Sequence, residues 1–471
     1  MKGYWIQPEP GSSGVSGIPA GKARAAFVDA YLSHAREVPQ KLADFLDEEQ
    51  NHPRAWATKA IVLTTLARAE LVEPAKTAAK QAQMLLECSQ FDLADHAFVS
   101  AASHAAHGRW REAIDALERA IARDPADSLA VKMSHALLFM LGDAKGMLAS
   151  INTSLARLPS RHPHRGFLLG CKAFALEENG FYAEAERLGV EAVTLRPDDA
   201  WGLHAVSHVH EMTGRIEKGI SWIMDHEPLI RASNNFGGHL FWHLALFRLE
   251  QGRIGDALKL YDSEIRRDRT DDFRDIANAA SLLMRIELDG HSVGDRWEEL
   301  ADKAEARIAD RSYVFADLHY ALALVGAGRK DAAMRLGESL STVPPRVLAQ
   351  EEIWHVSGRA LGAGVSALAR GDSTSAFGHF MRASPAAQRI GGSHAQRDVI
   401  EQMLVEAGLR AGEDRIVRKR LQERLAMRGG TNRFAETRLG RLFARSSAGS
   451  QGVTSLVAVL VHGVDPAAHH V

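Results

Sequence analysis

The chain has 471 residues, 46% hydrophobic and 25% charged, with a formal net charge of −2. It can bury a large core, and no global field draws it to nucleic acid or anionic lipid. Two cysteines, Cys88 and Cys171, exclude a disulfide framework and fit a reducing compartment. No segment reaches the roughly 18 apolar residues of a membrane span, and Met1 to Pro8 lacks the apolar run of a signal peptide, so a cytoplasmic protein is expected.

Residues 1–20, with Pro8, Pro10, Pro19 and several Gly and Ser, read as a flexible N-terminal arm. Residues 21–48 and 53–90 read as helical, with a turn near Ala69 to Glu73. From about residue 94 to 390 one pattern recurs between amphipathic stretches, a glycine followed five residues later by a small residue. It stands at Gly108/Ala113, Gly180/Ala185, Gly214/Gly219, Gly252/Ala257, Gly328/Ala333 and Gly371/Ala376, and more weakly at Gly142/Met147. Gly290 keeps the turn glycine, but Asp295 replaces the small residue.

The glycines step by 34 residues from Gly108 to Gly142 and from Gly180 to Gly214. The other steps are 38, apart from 43 to Gly371. Gly108, Ala113, Ala120 and Pro125 recur at the same offsets as Gly180, Ala185, Ala192 and Pro197. The glycine suits a left-handed position after a first helix, and the alanines allow close approach of a second. The proline stops that second helix. A 34-residue period of this kind is the tetratricopeptide unit, and 38 is that unit with a longer connection. The expected fold is all-α, a right-handed α-solenoid of tetratricopeptide-type helix pairs over residues 21–445, clearest over 94–390. Residues 398 to 428 read as a further helical pair around Gly412. A tail of 446–471 follows the array.

Several segments resemble the tetratricopeptide repeat protein 38 family. They are Asp199 to Met212 (DAWGLHAVSHVHEM), His239 to His243 (HLFWH), Gly391 to Asp398 (GGSHAQRD), Met133-Ser134-His135 and Asp317-Leu318-His319. The resemblance extends over roughly residues 21 to 445. It implies the helical repeat fold and no established activity.

Histidine placement is the feature that asks for chemistry. With Gly214 set at position 15 of its repeat, Trp201, His204, His208 and Glu211 fall at positions 2, 5, 9 and 12, on one face of the first helix. With Gly252 at position 15, His239, Trp242 and His243 take positions 2, 5 and 6. That face lines the concave groove of such repeats. His204/His208 and His239/His243 are i, i+4 pairs on equivalent helices, a spacing that can assemble a metal site in a helical bundle. These four are the candidate ligands of a divalent transition metal, with Glu211 as ligand or general base. His135, Asp317 and His319 would complete the surroundings if the superhelix curls enough. Trp201 and Trp242 are candidate ligand-binding residues, or core filling. Arg397 after the Gly391-Gly392 turn is a candidate anion contact at a helix start, or half of a structural pair with Asp398.

His210-Glu211-Met212-Thr213-Gly214 lacks the second histidine of a zincin. Gly17 to Ala23 is a defective phosphate loop, and no G-x-S-x-G elbow, CxxC pair or dinucleotide fingerprint is present. Arg415, Arg418, Lys419, Arg420, Arg424, Arg428, Arg433, Arg438, Arg441 and Arg445 read as the polar face of terminal capping helices, with a surface for nucleic acid or an acidic partner as the alternative. Three functions fit this pattern. The first is a binding or scaffold protein whose groove, lined by His and Trp, takes a peptide or small ligand. The second is a metal-dependent enzyme built on the same residues. The third is structural packing alone. Expected partners are a protein, a peptide or a small molecule, without nucleic acid or membrane.

Overall fold

The computed structural model describes residues 21–449. The arm expected at 1–20 and the tail beyond Gly449 lie outside the described residues. Those described are helices and connections, with one isolated bridge between Ala35 and Ser233. None of these helices is long and apolar enough to cross a membrane.

The helices follow one another as pairs joined by short turns. α1 (Lys22–Ser33) pairs with α2 (Val38–Glu48), α3 (Pro53–Thr65) with α4 (Val72–Cys88), and α5 (Leu93–Ala106) with α6 (Trp110–Arg123). Next come α7 (Ser128–Met140) and α8 (Ala144–Arg157), then α9 (Arg165–Glu178) and α10 (Tyr182–Leu195). α11 (Ala200–Met212) packs with α12 (Ile216–Asp225), and α13 (Glu227–Ala232) leads into α14 (Phe236–Glu250) and α15 (Ile254–Leu260). α16 (Phe273–Leu288), α17 (Arg296–Ala306), α18 (Val314–Gly326) and α19 (Lys330–Thr342) continue the array. The short α20 (Glu351–Ile353) precedes α21 (Arg359–Ala369), α22 (Ser373–Ala383), α23 (His394–Ala411), α24 (Asp414–Met427) and α25 (Arg433–Gly449). This is the all-α solenoid of tetratricopeptide-type helix pairs.

Local chemistry sets these boundaries. Asp92, Asp127, Asp199 and Asp272 cap the first helices α5, α7, α11 and α16, their carboxylates accepting from backbone N–H groups two or three residues on, as N-caps should. All eight recurrent turn glycines, from Gly108 to Gly371, hold positive φ. The arginine-rich end continues as helix through Arg445 to Gly449.

The superhelix closes on itself. Arg68 and Arg307 both pair with Asp271, and Arg307 also holds Glu70. Ala349 N–H donates to the Gly108 carbonyl at 2.9 Å. Asn234 N–H donates to the His34 carbonyl at 2.8 Å, and Arg36 donates to the Ser233 and Arg231 carbonyls. Segments some 200 residues apart are therefore packed against one another, and the inner face of the solenoid is covered. All thirteen residues of α11 are buried, which an open concave groove would forbid. The expected concave groove is thus an interior, filled from one side by the turn after α1 and from the other by α23 to α25.

The C-terminal arginines correct the sequence reading in the same way. Arg438 is fully buried and donates to Glu406, Asp289 and the Leu288 carbonyl. Arg424 and Arg428 are also buried and turn inward on Asp398. These charges anchor the last helices to the array, whereas Arg415 and Arg441 remain exposed as a polar face requires.

Gly142 shows how tight the closure is. Its φ is +65°, and an added Cβ would collide with the Gln388 carbonyl of the facing segment. Gly180 has φ +82° and open space around it. Gly180→Ala should cost only the left-handed penalty, about 1–2 kcal/mol. Gly142→Ala should cost that plus displacement of the 388–392 segment, so its urea midpoint should fall clearly further. Equal losses would mean that the two segments are not in contact.

Candidate metal centre

Four imidazoles from α11 and α14 meet in the covered interior. His204 and His208 stand one turn apart on α11, and His239 and His243 do so on α14. Each contributes a ring nitrogen to a group whose members all lie within 4.8 Å of one another. His204 Nε2 is 2.9 Å from both His208 Nε2 and His239 Nε2. All four rings are buried.

Two of the outward nitrogens have hydrogen-bond partners, and those of His204 and His208 have none. His239 Nδ1 is 2.9 Å from Asn278 Oδ1 of α16, and His243 Nδ1 is 2.9 Å from Glu211 Oε2. His208 Nδ1 is 3.6 Å from Glu177 Oε2 of α9. A neutral imidazole has one N–H. If that proton is on Nδ1 and faces the carboxylate or amide, Nε2 turns a bare lone pair inward. This outer-partner arrangement is the one metal-bound histidines adopt.

The inner nitrogens cannot all satisfy one another. His204 Nε2 has one proton at most to share between two neighbours, and His243 Nε2 is buried with no hydrogen-bond partner. Buried polar atoms left in this state call for a missing ion or water. A cation bound tetrahedrally at about 2.0–2.1 Å by each nitrogen sets its ligands about 3.3 Å apart, a spacing within the range of this group, in which two pairs are 2.9 Å apart and all lie within 4.8 Å. Burial and mutual repulsion hold His204 and His208 well below the usual imidazole range, and burial takes His239 down to about 3. All three are therefore neutral near pH 7, as metal ligation requires. The residues present fit a divalent transition metal.

Two buried carboxylates stand just outside the four rings. Burial raises Glu211, but the His243 hydrogen bond and the Arg428 guanidinium outweigh it and hold the group below its ordinary value. Its oxygens go to His243 Nδ1 and, at 3.9 Å, to Arg428 Nη1. The structure places Glu211 between His243 and Arg428, as an orienting partner of the His243 ring. Glu177 was missed by sequence reasoning. It is fully buried, neither oxygen has a hydrogen-bond partner, and burial pushes its carboxyl up to about 7. The signal was available, because Glu177 precedes Gly180 by three residues as Glu211 precedes Gly214, the same repeat position on neighbouring helices. Asn278, on the next first helix, carried no comparable signal.

The other expected site residues are placed elsewhere. Trp242 is fully buried, with the His239 ring stacked on it at 5.2 Å and Arg285 beside it, so it is core. Trp201 is buried between His34, Phe236 and Phe174. Asp317 is committed to Arg311, and His319 rests on Phe315 with its Nδ1 2.8 Å from the Phe315 carbonyl. Neither joins the four histidines. His135 meets the edges of Phe174 and Trp201 and binds to none of the cluster.

Arg397 neither presents itself to an anion nor pairs with Asp398. It donates to Glu178 Oε2 at 2.9 Å and to the Gly392 carbonyl. It thereby locks the Gly391-Gly392 turn against α9, where His394 N–H also donates to Glu178 Oε1 at 2.6 Å.

No family model matches the chain. Solved structures similar to it include a human IFIT1 dimer with PPP-AAAA, at 15% identity and TM-score 0.42, covering 89% of this chain and 100% of that one. Another is Naa15/Naa10 bound to HypK-THB, at 13% identity and TM-score 0.24, covering 90% of this chain and 66% of that one. The likeness ends at the helical-repeat arrangement and says nothing of what this chain binds.

Proposed function

We propose that this chain is a metal-dependent helical-repeat protein that holds one divalent transition metal on His204, His208, His239 and His243. The observation that carries the reading is the convergence of four buried ring nitrogens that the protein cannot satisfy among themselves. An all-imidazole set suits iron, copper, nickel or zinc. Four imidazole ligands leave the charge of such an ion uncompensated, and Glu211 supplies nearby negative charge, with Glu177, whose carboxyl burial pushes up to about 7, able to ionise beside a cation. A bound metal of this class supplies Lewis acidity or, for iron and copper, electron exchange. The chain's own residues do the rest. Asn278 and Glu211 fix the tautomers of His239 and His243, while Phe174, Phe236, Trp201 and Trp242 keep bulk water out.

The reading of an open peptide groove is not favoured, because the face it needs is covered by α23 and by the turn at His34. We further propose membership of the tetratricopeptide repeat protein 38 family. Three segments of that resemblance, Asp199 to Met212, His239 to His243 and Gly391 to Asp398, meet at or beside this centre although nearly 200 residues separate the first from the last.

Plasma mass spectrometry on untagged protein tests the metal. About one equivalent per chain, as isolated or after loading with Fe(II), Zn(II) or Co(II), is expected of a preorganised four-histidine site. A folded wild type that is metal-free and takes up none of these ions sinks the proposal. Asn278→Leu keeps the packing volume but removes the acceptor that orients His239. It should weaken metal binding about 10–100-fold, measured by chelator competition, with the helical circular dichroism unchanged.

A further inference from the structure

Beside the metal centre a second set of buried polar groups lacks partners, and its chemistry is that of donors. Lys132 of α7 is buried, with its ammonium 4.2 Å from the Trp201 ring centre. Its one hydrogen-bond contact is a weak one, Cys171 Sγ at 3.9 Å. Among the described residues it forms no ion pair. The carboxylate that attracts it, Asp199, lies beyond ion-pair distance and spends its Oδ1 on the cap of α11. A buried ammonium with no anion is rare, because dehydrating the charge is costly unless it is paired.

The rings around Trp201 repeat the theme. His34 stacks on it at 5.6 Å, His135 meets it edge-on at 5.9 Å, and His204 lies at 5.1 Å. His34 Nε2, both nitrogens of His135, Trp201 Nε1 and His204 Nδ1 are all buried without a hydrogen-bond partner. Trp201 Nε1 can only donate, Lys132 offers three N–H groups, and each imidazole can turn an N–H to an acceptor. The remaining orphan acceptor is Asp199 Oδ2, pressed between Gly170 and Gly202. An ammonium with no ion pair, among several N–H donors, matches a monoanion with two acceptor oxygens.

We propose that Lys132, His135 and Trp201 bind the carboxylate group of a small ligand, next to the metal centre. His204 belongs to both sites, with Nε2 in the metal cluster and Nδ1 unpartnered on the ring packed against Trp201. The anion site stands on Lys132 and its neighbours alone; only its role beside a metal rests on the function proposed above. Lys132 and His135 flank Met133 and Ser134 on one helix, so a single turn of α7 presents both.

Calorimetry on the full chain at constant ionic strength tests this, with acetate, phosphate and chloride as separate probes and the protein both metal-free and loaded with Co(II). Saturable acetate binding is expected in both forms. It should be weakened at least about ten-fold, a rise of one unit in log Kd, by Lys132→Met and largely kept by Lys132→Arg. In the cobalt form acetate should also shift the visible spectrum of wild type and not that of Lys132→Met. If Lys132→Met does not fold, His135→Phe, which keeps the ring, replaces it and should weaken acetate likewise. Absence of acetate binding, or equal binding by wild type and the folded variant, overturns the site. Tighter binding of phosphate or chloride than of acetate overturns the carboxylate assignment. Acetate binding by a wild type that takes up no cobalt leaves this site standing and removes the metal.

Discussion

Replacing His204 and His208 together with alanine is expected to abolish metal uptake. In wild type His204 Nε2 is the hub, 2.9 Å from a nitrogen of each i, i+4 pair, so losing α11's pair leaves two ligands that cannot close a coordination sphere. The effect on stability is large and conditional. A metal present at 100 times its Kd stabilises the folded state by about 2.7 kcal/mol. That increment should appear as a metal-dependent rise in the wild-type melting temperature and be absent from the variant. The comparison is made within each protein, with and without metal, so any cost of the two cavities cancels. A variant that still binds one equivalent and still shows the rise would place the metal elsewhere.

The second large effect is expected at Asp398, where three buried guanidinium groups share one carboxylate. Arg424 Nη2 donates to Asp398 Oδ2 at 2.9 Å, Arg428 Nη2 lies 3.6 Å and Arg285 Nη2 3.9 Å away, and Gln402 donates at 2.8 Å. Asp398→Ala leaves these charges buried with too little compensation. Breaking such a cluster by removing one partner costs about 3–5 kcal/mol, read as a fall in the urea midpoint. The pH dependence has a definite sign. Burial alone would raise the carboxyl, but Arg424, Arg428 and Arg285 outweigh it and hold it far below the usual range. A depressed folded-state value means that the stabilisation is fully present above the unfolded value, about 3.9, and fades only as pH falls below it. The gap between wild type and Asp398→Ala should therefore be constant from pH 8 to about 4 and narrow under more acid conditions. A gap that closes already near pH 6 would show that these arginines are not what holds Asp398.

The repeat was legible because it is local. Gly142, Gly180 and Gly214 announce turns between helices a few residues away, and Asp127, Asp199 and Asp272 announce the helices that follow. The two histidine pairs were legible for the same reason, since four residues make about one turn of helix and equivalent repeat positions face the same way. Glu177 could have been read by the same rule, and the emphasis on histidine alone hid it.

What lay outside the sequence was the closure of the superhelix. Whether Arg438 faces water or Asp289, and whether His319 reaches the four imidazoles, depends on small rotations at every helix pair summed over some 75 to 150 residues. No local spacing records that sum. The sequence by itself determined the helix pairs, their turns and which side chains share an inner face. The tertiary structure decided that this face is covered, that Asp317 and His319 stand apart from the centre, and that Lys132 is left without an anion. Burial and partnership are properties of what packs on top, and here that is chain from the far end of the molecule.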